Sequence, residues 1–547
     1  MRHVARLLKR WSAAARIVER DGEGRLDEVI EAGLSRRGFV GGLARGAALG
    51  ALAVSMPGLG ACATRTGREG REGGEGDGSE VAEVAIVGAG LAGLSACHVL
   101  AKRGIVARVF EAKTTVGGRT RSLRGFMGAE SPIELGAEFI DSEHEDLLAL
   151  VSELGLSVFD ARPSDAPALD TVYWVGGRRV SEREIAKGFV PLARKVLAAR
   201  ASLQGDAITY RTPLGAEALD RTSLADFLAS SGASEATRRV LEAAYVTEYG
   251  MDLEHQSALN LLMVMEPDDL READASAALS LYGSSDERWK VEGGNQRVCE
   301  VLAERYRDRV RVDRVLVALR QRRGGHYTLS FADGSEVSAA RVILTVPFSV
   351  LRSVDLSGVE LPALKRRVIA ELGYGTNAKL IVPFSRRPWL ERGEDGSLYA
   401  DGAVQSTWDP HLRRPGERGF LTRYVGGAEG MALGQGTPDE HARALATALD
   451  PVWSLAEHRL DGAVRAHWPS DPFARGSYAG YHVGQWTSLG GAEAEAVGGL
   501  HFAGEHTSAD FQGFMEGAVA SGYRAAREIL DGVSASSARV FSGRMVR

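Results

Sequence analysis

The stretch Val84-Ala85-Ile86-Val87-Gly88-Ala89-Gly90-Leu91-Ala92-Gly93 runs a short apolar segment into a glycine turn, then into an Ala/Leu-rich segment ending near Lys102. A brief apolar run stopped by glycine predicts a buried parallel strand, and the segment behind it predicts a helix. In such a unit Gly88 permits the tight turn, Gly90 lets a pyrophosphate approach the backbone, and Gly93 allows the helix to pack closely on the strand. The helix N-terminus adds unpaired N–H groups and the positive end of a dipole. A second strand, Val106 to Phe110, ends at Glu111, whose carboxylate can accept hydrogen bonds from adenosine ribose hydroxyls. The same negative charge opposes a 2′-phosphate, so the unit predicts a dinucleotide site of the NAD or FAD kind and not the NADP kind.

A second glycine pair follows almost at once, in Val116-Gly117-Gly118-Arg119-Thr120-Arg121, and other blocks succeed it in order. These are Glu134-Leu135-Gly136-Ala137-Glu138-Phe139, Gly293-Gly294-Asn295, Val342-Ile343-Leu344-Thr345-Val346-Pro347 and Leu372-Gly373-Tyr374-Gly375 before Lys379. Trp468 with Gly476-Ser477-Tyr478 comes next, then Phe502-Ala503-Gly504-Glu505-His506-Thr507 and Gly513-Phe514-Met515-Glu516-Gly517-Ala518-Val519. The series, spanning about residues 82 to 532, resembles the flavin-containing amine oxidase family, the superfamily of monoamine, polyamine and L-amino acid oxidases. The resemblance implies an α/β fold of two domains. One is a Rossmann-like, glutathione-reductase-type FAD-binding domain (81–150, 285–358 and 468–532), and the other an interleaved α+β substrate domain (151–284 and 359–467), followed by a polar tail (533–547).

The resemblance also implies roles for particular residues. FAD is expected to bind noncovalently, because Ser477 stands where some animal members carry the cysteine bonded to flavin, and serine cannot form that thioether. Two phosphates need neutralising, and Arg119 together with the first helix N-terminus can do so. Gly117, Gly118, Gly136, Ala137, Gly504 and Glu505 fall in blocks that border the cofactor, and an adenine contact falls at Val315 or Leu316. The closing helix, beginning near Met515, would aim its N-terminus at the pyrimidine side of the flavin, where charge collects on reduction. Lys379 matches the lysine that holds a water against flavin N5. Tyr478 and Phe514 match the aromatic pair forming the amine's slot, Phe514 standing where many members have tyrosine or tryptophan, and Trp468 joins them in the substrate pocket.

Substrate class turns on charge. L-Amino acid oxidases of the family hold the substrate carboxylate with an arginine two residues after the Gly-Ala of the Leu-Gly-Ala block. Here Glu138 and Phe139 follow Ala137, and no arginine appears before residue 162. A carboxylate facing the pocket would repel a substrate carboxylate and attract a second ammonium, which favours a primary amine, diamine or polyamine. A helix N-terminus accounts for the acidic run Asp141, Glu143 and His144 equally well, and Arg288 or Arg423 could clamp a carboxylate from elsewhere. The implied reaction takes the amine to an imine, then to an aldehyde and ammonia or a smaller amine, while O2 becomes H2O2. The rival readings are an L-amino acid oxidase giving a 2-oxo acid, an enzyme using another acceptor or desaturating an apolar polyene or porphyrin, and a non-catalytic flavin-binding lipoprotein.

The flanks and the composition agree with an exported bacterial enzyme. Arg36-Arg37 precede a Gly/Ala-rich stretch from Gly41 to Ala61, which resembles a twin-arginine export signal, and Leu59-Gly60-Ala61-Cys62 resembles a lipobox with Cys62 as the acylated residue. Ordinary cleavage near Ala61 or Ala63 is the alternative, and the 34 residues before Ser35 make a longer leader than such signals carry. Residues 1–62 are thus expected to be an address for the periplasm or cell envelope, and 63–80 a Gly/Glu/Arg tether. Across 547 residues, 44% hydrophobic and 25% charged, the net charge of −6 disfavours nucleic acid as a partner, and membrane contact is expected only through the lipid anchor. The three cysteines, Cys62, Cys97 and Cys299, show neither disulfide nor metal spacing, and Cys97 and Cys299 are expected as buried apolar fillers. Ile185, Phe189, Leu192 and Val196 share one face of a predicted helix in the first substrate insert, and Leu380 to Phe384 form a predicted strand in the second.

Overall fold

The computed structural model describes residues 80–163, 169–205, 207–264 and 286–543. The export signal, Cys62 and the tether lie outside the described residues.

The first strand, Glu80–Val87, sits at the centre of an eight-stranded sheet, paired in parallel with Glu336–Leu344 on one side and Ala107–Phe110 on the other. Val84, Ala85 and Ile86 are wholly buried, as expected of a strand covered on both faces. Val310–Arg311 extends the parallel part beyond Ala107–Phe110. The strand Glu336–Leu344 is shared: its first half pairs antiparallel with Tyr327–Phe331, and its end pairs in parallel with Leu500–Phe502. The sheet thus collects segments from three separated parts of the chain.

The helix Leu91–Lys102 packs back on its own turn. A Cβ at Gly93 would lie 2.0 Å from the Gly88 carbonyl oxygen, so only glycine permits this approach, and Gly88 itself holds φ at +107°. The closing helix, Met515–Gly543, lies across the first helix, where a Cβ on Gly522 would stand 2.3 Å from the Ala92 carbonyl oxygen. Val519, Ala525, Ala526 and Ile529 share one apolar cluster with Leu91, Leu94, Cys97 and Cys299. Both cysteines are free, and burial pushes the Cys97 thiol up to about 11, so they serve as apolar filling. The closing helix continues into the polar tail expected from residue 533, as far as Gly543.

A second sheet of seven strands joins the two substrate inserts. Its order is Val464–His467, Ala378–Phe384, Gly419–Val425, Gln405–Trp408, Glu394–Ala400, Asp170–Val175 and Arg178–Arg179. Ala378–Phe384 is buried along its whole length. Glu235–Tyr249 packs against this sheet, and Glu182–Ala201, with Ile185, Phe189, Leu192 and Val196 fully buried, packs against that helix. Glu235–Tyr249 ends at Gly250 (φ +67°), where a side chain would strike the Asn377 amide. Asn377 in turn donates to the Thr247 carbonyl at 2.7 Å, which fixes the loop leading into the Lys379 strand.

Gly522→Val should overpack the crossing of the first and closing helices at a cost of roughly 1–3 kcal/mol. Thermal release of flavin fluorescence should then come at a lower temperature than in the wild type; an unchanged midpoint would show that the two helices can move apart freely.

Candidate active site

One cavity runs from the glycine turn to the second sheet, lined at one end by Gly90, Glu111, Lys113, Arg314 and Val350, and at the other by Glu248, Tyr399, Trp408 and Tyr424. At the first end the residues fit a dinucleotide. A Cβ on Gly90 would meet nothing nearer than the Gly117 oxygen at 3.7 Å, and one on Gly118 (φ +59°) only Gly90 Cα at 3.8 Å, so the backbone there is open to a close approach. The first helix begins at Gly90 with no side-chain cap, which leaves its leading N–H groups for a ligand. Glu111 is buried, with Oε2 accepting from Ala89 N at 2.7 Å and Oε1 from Lys113 N at 2.9 Å. Burial pushes its pKa up against those bonds, and each oxygen keeps a lone pair for a ribose hydroxyl. Val315 and Leu316, between which the sequence left the adenine contact open, both line this end.

The middle of the cavity is held by one carboxylate. Glu505 Oε1 accepts from Arg119 Nη1 at 2.6 Å, and Oε2 accepts from Gly513 N at 2.8 Å, while Arg119 Nη1 also donates to the Ser477 carbonyl at 2.7 Å. Arg119 lines the cavity as predicted, but part of its guanidinium ties three chain segments together and is not free for phosphate. Gly504 holds φ at +121°, and a side chain at Gly136 would collide with the Arg119 carbonyl at 1.8 Å and crowd Trp468 at 3.2 Å. Trp468, Ala137 and Met515 all line the same space, Met515 as the first residue of the closing helix.

At the far end the expected charge pattern is corrected. Lys379 is buried, and its Nζ donates to the carbonyls of Glu134 (3.1 Å) and Gly136 (2.9 Å) and to Glu138 Oε2 (2.8 Å). All three ammonium protons are thereby used within the protein, so a water can accept from Lys379 only by displacing one of these partners. Glu138 does not present a free carboxylate to substrate: Lys290 Nζ donates to its Oε1 at 2.7 Å and Trp408 Nε1 at 3.2 Å. Burial would push its pKa up, but Lys290 and Lys379 outweigh that and hold it at about 2. The argument for a second substrate ammonium at Glu138 therefore fails. Of the acidic run, Asp141 lines the cavity but is engaged locally, facing His144 at 3.4 Å and accepting from Glu287 N at 2.6 Å.

Aromatic rings form the walls. Tyr478 and Phe514 line the cavity with Phe139, Trp408 and Tyr424. The Tyr478 hydroxyl lies 2.9 Å from that of Tyr424 and donates to the Glu248 carbonyl at 2.7 Å, and burial keeps both phenols neutral. Phe514 packs edge-on to His144 at 5.5 Å between centroids. Arg288 pairs with Asp160 and Arg423 with Ala403 and Glu429, and neither reaches the cavity. Arg162 does reach it, its Nη2 3.1 Å from Glu287 and its Nε buried without a hydrogen-bond partner. Sequence reasoning missed Arg162, Lys290, Trp408 and Tyr424. Only Tyr424 carries a retrospective signal, as the strand neighbour of Lys379.

The model of a family described as flavin-containing amine oxidoreductase matches residues 91–530. The chain belongs to that family. It is 28% identical over 482 residues to the flavin-dependent L-tryptophan oxidase RebO of Lentzea aerocolonigenes, covering 80% of this chain and 96% of that protein. It is 25% identical over 460 residues to the flavin-containing amine oxidase B of Sus scrofa, covering 81% and 84%. A structure of putrescine oxidase bound to putrescine superposes with a TM-score of 0.71 at 24% identity, over 83% of this chain and all of that one. The chain is thus an FAD-dependent amine oxidoreductase. FAD is held noncovalently, in accord with Ser477, which lines the cavity and cannot form a thioether.

Arg119→Ala should weaken FAD retention about tenfold or more, since hydrogen bonds to charged groups contribute roughly 1.5–3 kcal/mol; flavin fluorescence on dilution measures this. A second expectation concerns Glu134, which burial pushes up to about 7 against hydrogen bonds from Asn295 N and Ser122 Oγ. The folded protein then binds this proton more tightly than the unfolded chain, so stability falls as pH rises from about 4.5 to 7 and levels off above. Glu134→Gln should shrink that fall in urea midpoints, and Glu493, also pushed up to about 7, should retain its own share.

Proposed function

We propose that the chain oxidises a small primary amine to an imine, which water hydrolyses to an aldehyde and ammonia, with O2 as terminal acceptor giving H2O2. The observation that carries this reading is the aromatic cavity of Phe139, Trp408, Tyr424, Tyr478 and Phe514, continuous with the glycine cradle. FAD, when bound there, supplies the hydride-accepting centre. The chain's own part is to strip water from the amine, hold its lone pair free and orient the C–H bond. Tyr478 suits this task because its hydroxyl is engaged by Tyr424 and Glu248, which leaves the ring face for the substrate. Lys379 is proposed as the catalytic lysine of the site. With Glu138 occupied by two lysines, a diamine or polyamine has no carboxylate there to recognise it, so an amine with an apolar body is favoured.

A second reading, oxidation of L-amino acids, is favoured by Arg162, which brings a guanidinium to the cavity wall where a carboxylate could meet it. The likeness to RebO supports the same reading. Export by the twin-arginine route to the periplasm or cell envelope, with Cys62 as the acylated residue, is proposed from the Arg36-Arg37 pair and the Leu59 to Cys62 block. N-terminal mass spectrometry of the exported protein tests it.

The reaction is tested by anaerobic flavin bleaching with pairs that differ only in a carboxylate: phenethylamine against L-phenylalanine, tyramine against L-tyrosine, cadaverine against L-lysine. The aromatic amines should bleach the flavin at least about tenfold faster than their amino acids, a difference of ~1.4 kcal/mol, and faster than cadaverine. If the amino acids win and Arg162→Ala abolishes their advantage, the second reading replaces the first. No bleaching by any compound would favour a non-catalytic flavin protein.

A further inference from the structure

Two lysines share one buried carboxylate at the substrate end. Lys379, on Ala378–Phe384, takes Glu138 Oε2 at 2.8 Å, and Lys290, on Trp289–Val291, takes Oε1 at 2.7 Å. The side chains are 5%, 14% and 3% exposed for Lys379, Lys290 and Glu138, so water screens them little. Lys290 also donates to the Pro410 carbonyl at 3.1 Å and lies 4.6 Å from the Phe139 ring centre, and Lys379 lies 5.1 Å from that of Trp408. Lys379 and Glu138 line the cavity; Lys290 does not.

The arrangement divides the labour. A lone Lys379–Glu138 pair would be neutral, and the carboxylate would cancel the lysine's effect on anything bound beside it. Adding Lys290 on the far oxygen makes the triad net positive and holds Glu138 turned between the two ammonium groups. A fixed positive charge beside a flavin stabilises the electron-rich reduced form.

We propose that Glu138 and Lys290 are positioning residues that hold Lys379 as an ammonium against the carbonyls of Glu134 and Gly136, and that the triad's net positive charge raises the reduction potential of the FAD bound in the cavity. This rests on FAD occupying the cavity and not on which amine is oxidised. The other titratable groups packed around the triad are Glu134, Asp409 with its partner Arg387, His411 and Tyr424. Glu134, Asp409, His411 and Tyr424 are each coupled to Glu138, Lys290 or Lys379, so wild type and variants are compared over the same range of pH and not at a single value.

The test is the flavin midpoint potential of the FAD-loaded protein, read by equilibration with redox dyes and therefore needing no amine. Lys290→Met should lower the potential relative to the wild type at every pH. Glu138→Gln, which removes the negative charge between the two lysines, should raise it relative to the wild type at pH 6. The double variant Glu138→Gln/Lys290→Met restores the triad's net charge and should return near the wild-type potential. A Lys290→Met potential equal to wild type would overturn the proposal, as would Glu138→Gln and the double variant tracing the same curve. If Glu138→Gln does not fold, the Lys290→Met arm decides alone. Failure of every amine to bleach the flavin would sink the proposed reaction and leave these potentials standing.

Discussion

The approach of Gly93 to the carbonyl of Gly88, closer than any side chain would allow, sets the rest of the architecture. It places the first helix N-terminus directly over the end of the central strand, so that unpaired N–H groups open onto the cavity instead of onto solvent. The closing helix then crosses the first helix at Gly522, and its own first residue, Met515, lines the same cavity. Two helix N-termini thus meet one ligand space, a suitable setting for a cofactor that carries phosphates at one end and gains negative charge at the other.

Charge inside the cavity is handled by sharing. Glu505 is divided among Arg119, Ala479 and Gly513, and Glu138 among Lys379, Lys290 and Trp408. A buried carboxylate with a single partner would leave lone pairs unsatisfied in a low-dielectric interior, and each added donor offsets that cost. The same sharing makes each carboxylate a mechanical tie between segments distant in the chain. Substrate-facing surface is left to aromatic rings, whose hydroxyls are turned outward into backbone carbonyls or toward one another.

Much of the cofactor half was legible because its requirements are local. Gly88, Gly90, Gly93 and Glu111 act within one strand, turn and strand, and their spacing alone announces the job. The apolar stripe of Ile185, Phe189, Leu192 and Val196 was legible for the same reason, since helical periodicity is a property of neighbours. Glu138 shows where legibility stops. Its position in the Leu-Gly-Ala block was sufficient to place it at the cavity, but its charge state as seen by a ligand depends on Lys290 and Lys379, 152 and 241 positions away. No local pattern carries that information. Arg162 was passed over because it follows the motif by more than twenty residues, and it reaches the cavity only through the strand that precedes it.

The sequence by itself determined the dinucleotide turn, the ordered blocks of the flavin amine oxidase family and the lysine that enters the site, because glycine conformations and motif spacing are short-range constraints. Only the tertiary structure decided the electrostatics of the substrate end. Coulomb interactions and hydrogen bonds in a buried site depend on distance in space, and the folding of two inserts into one sheet brings Glu138, Lys290, Lys379, Trp408 and Tyr424 within reach of one another.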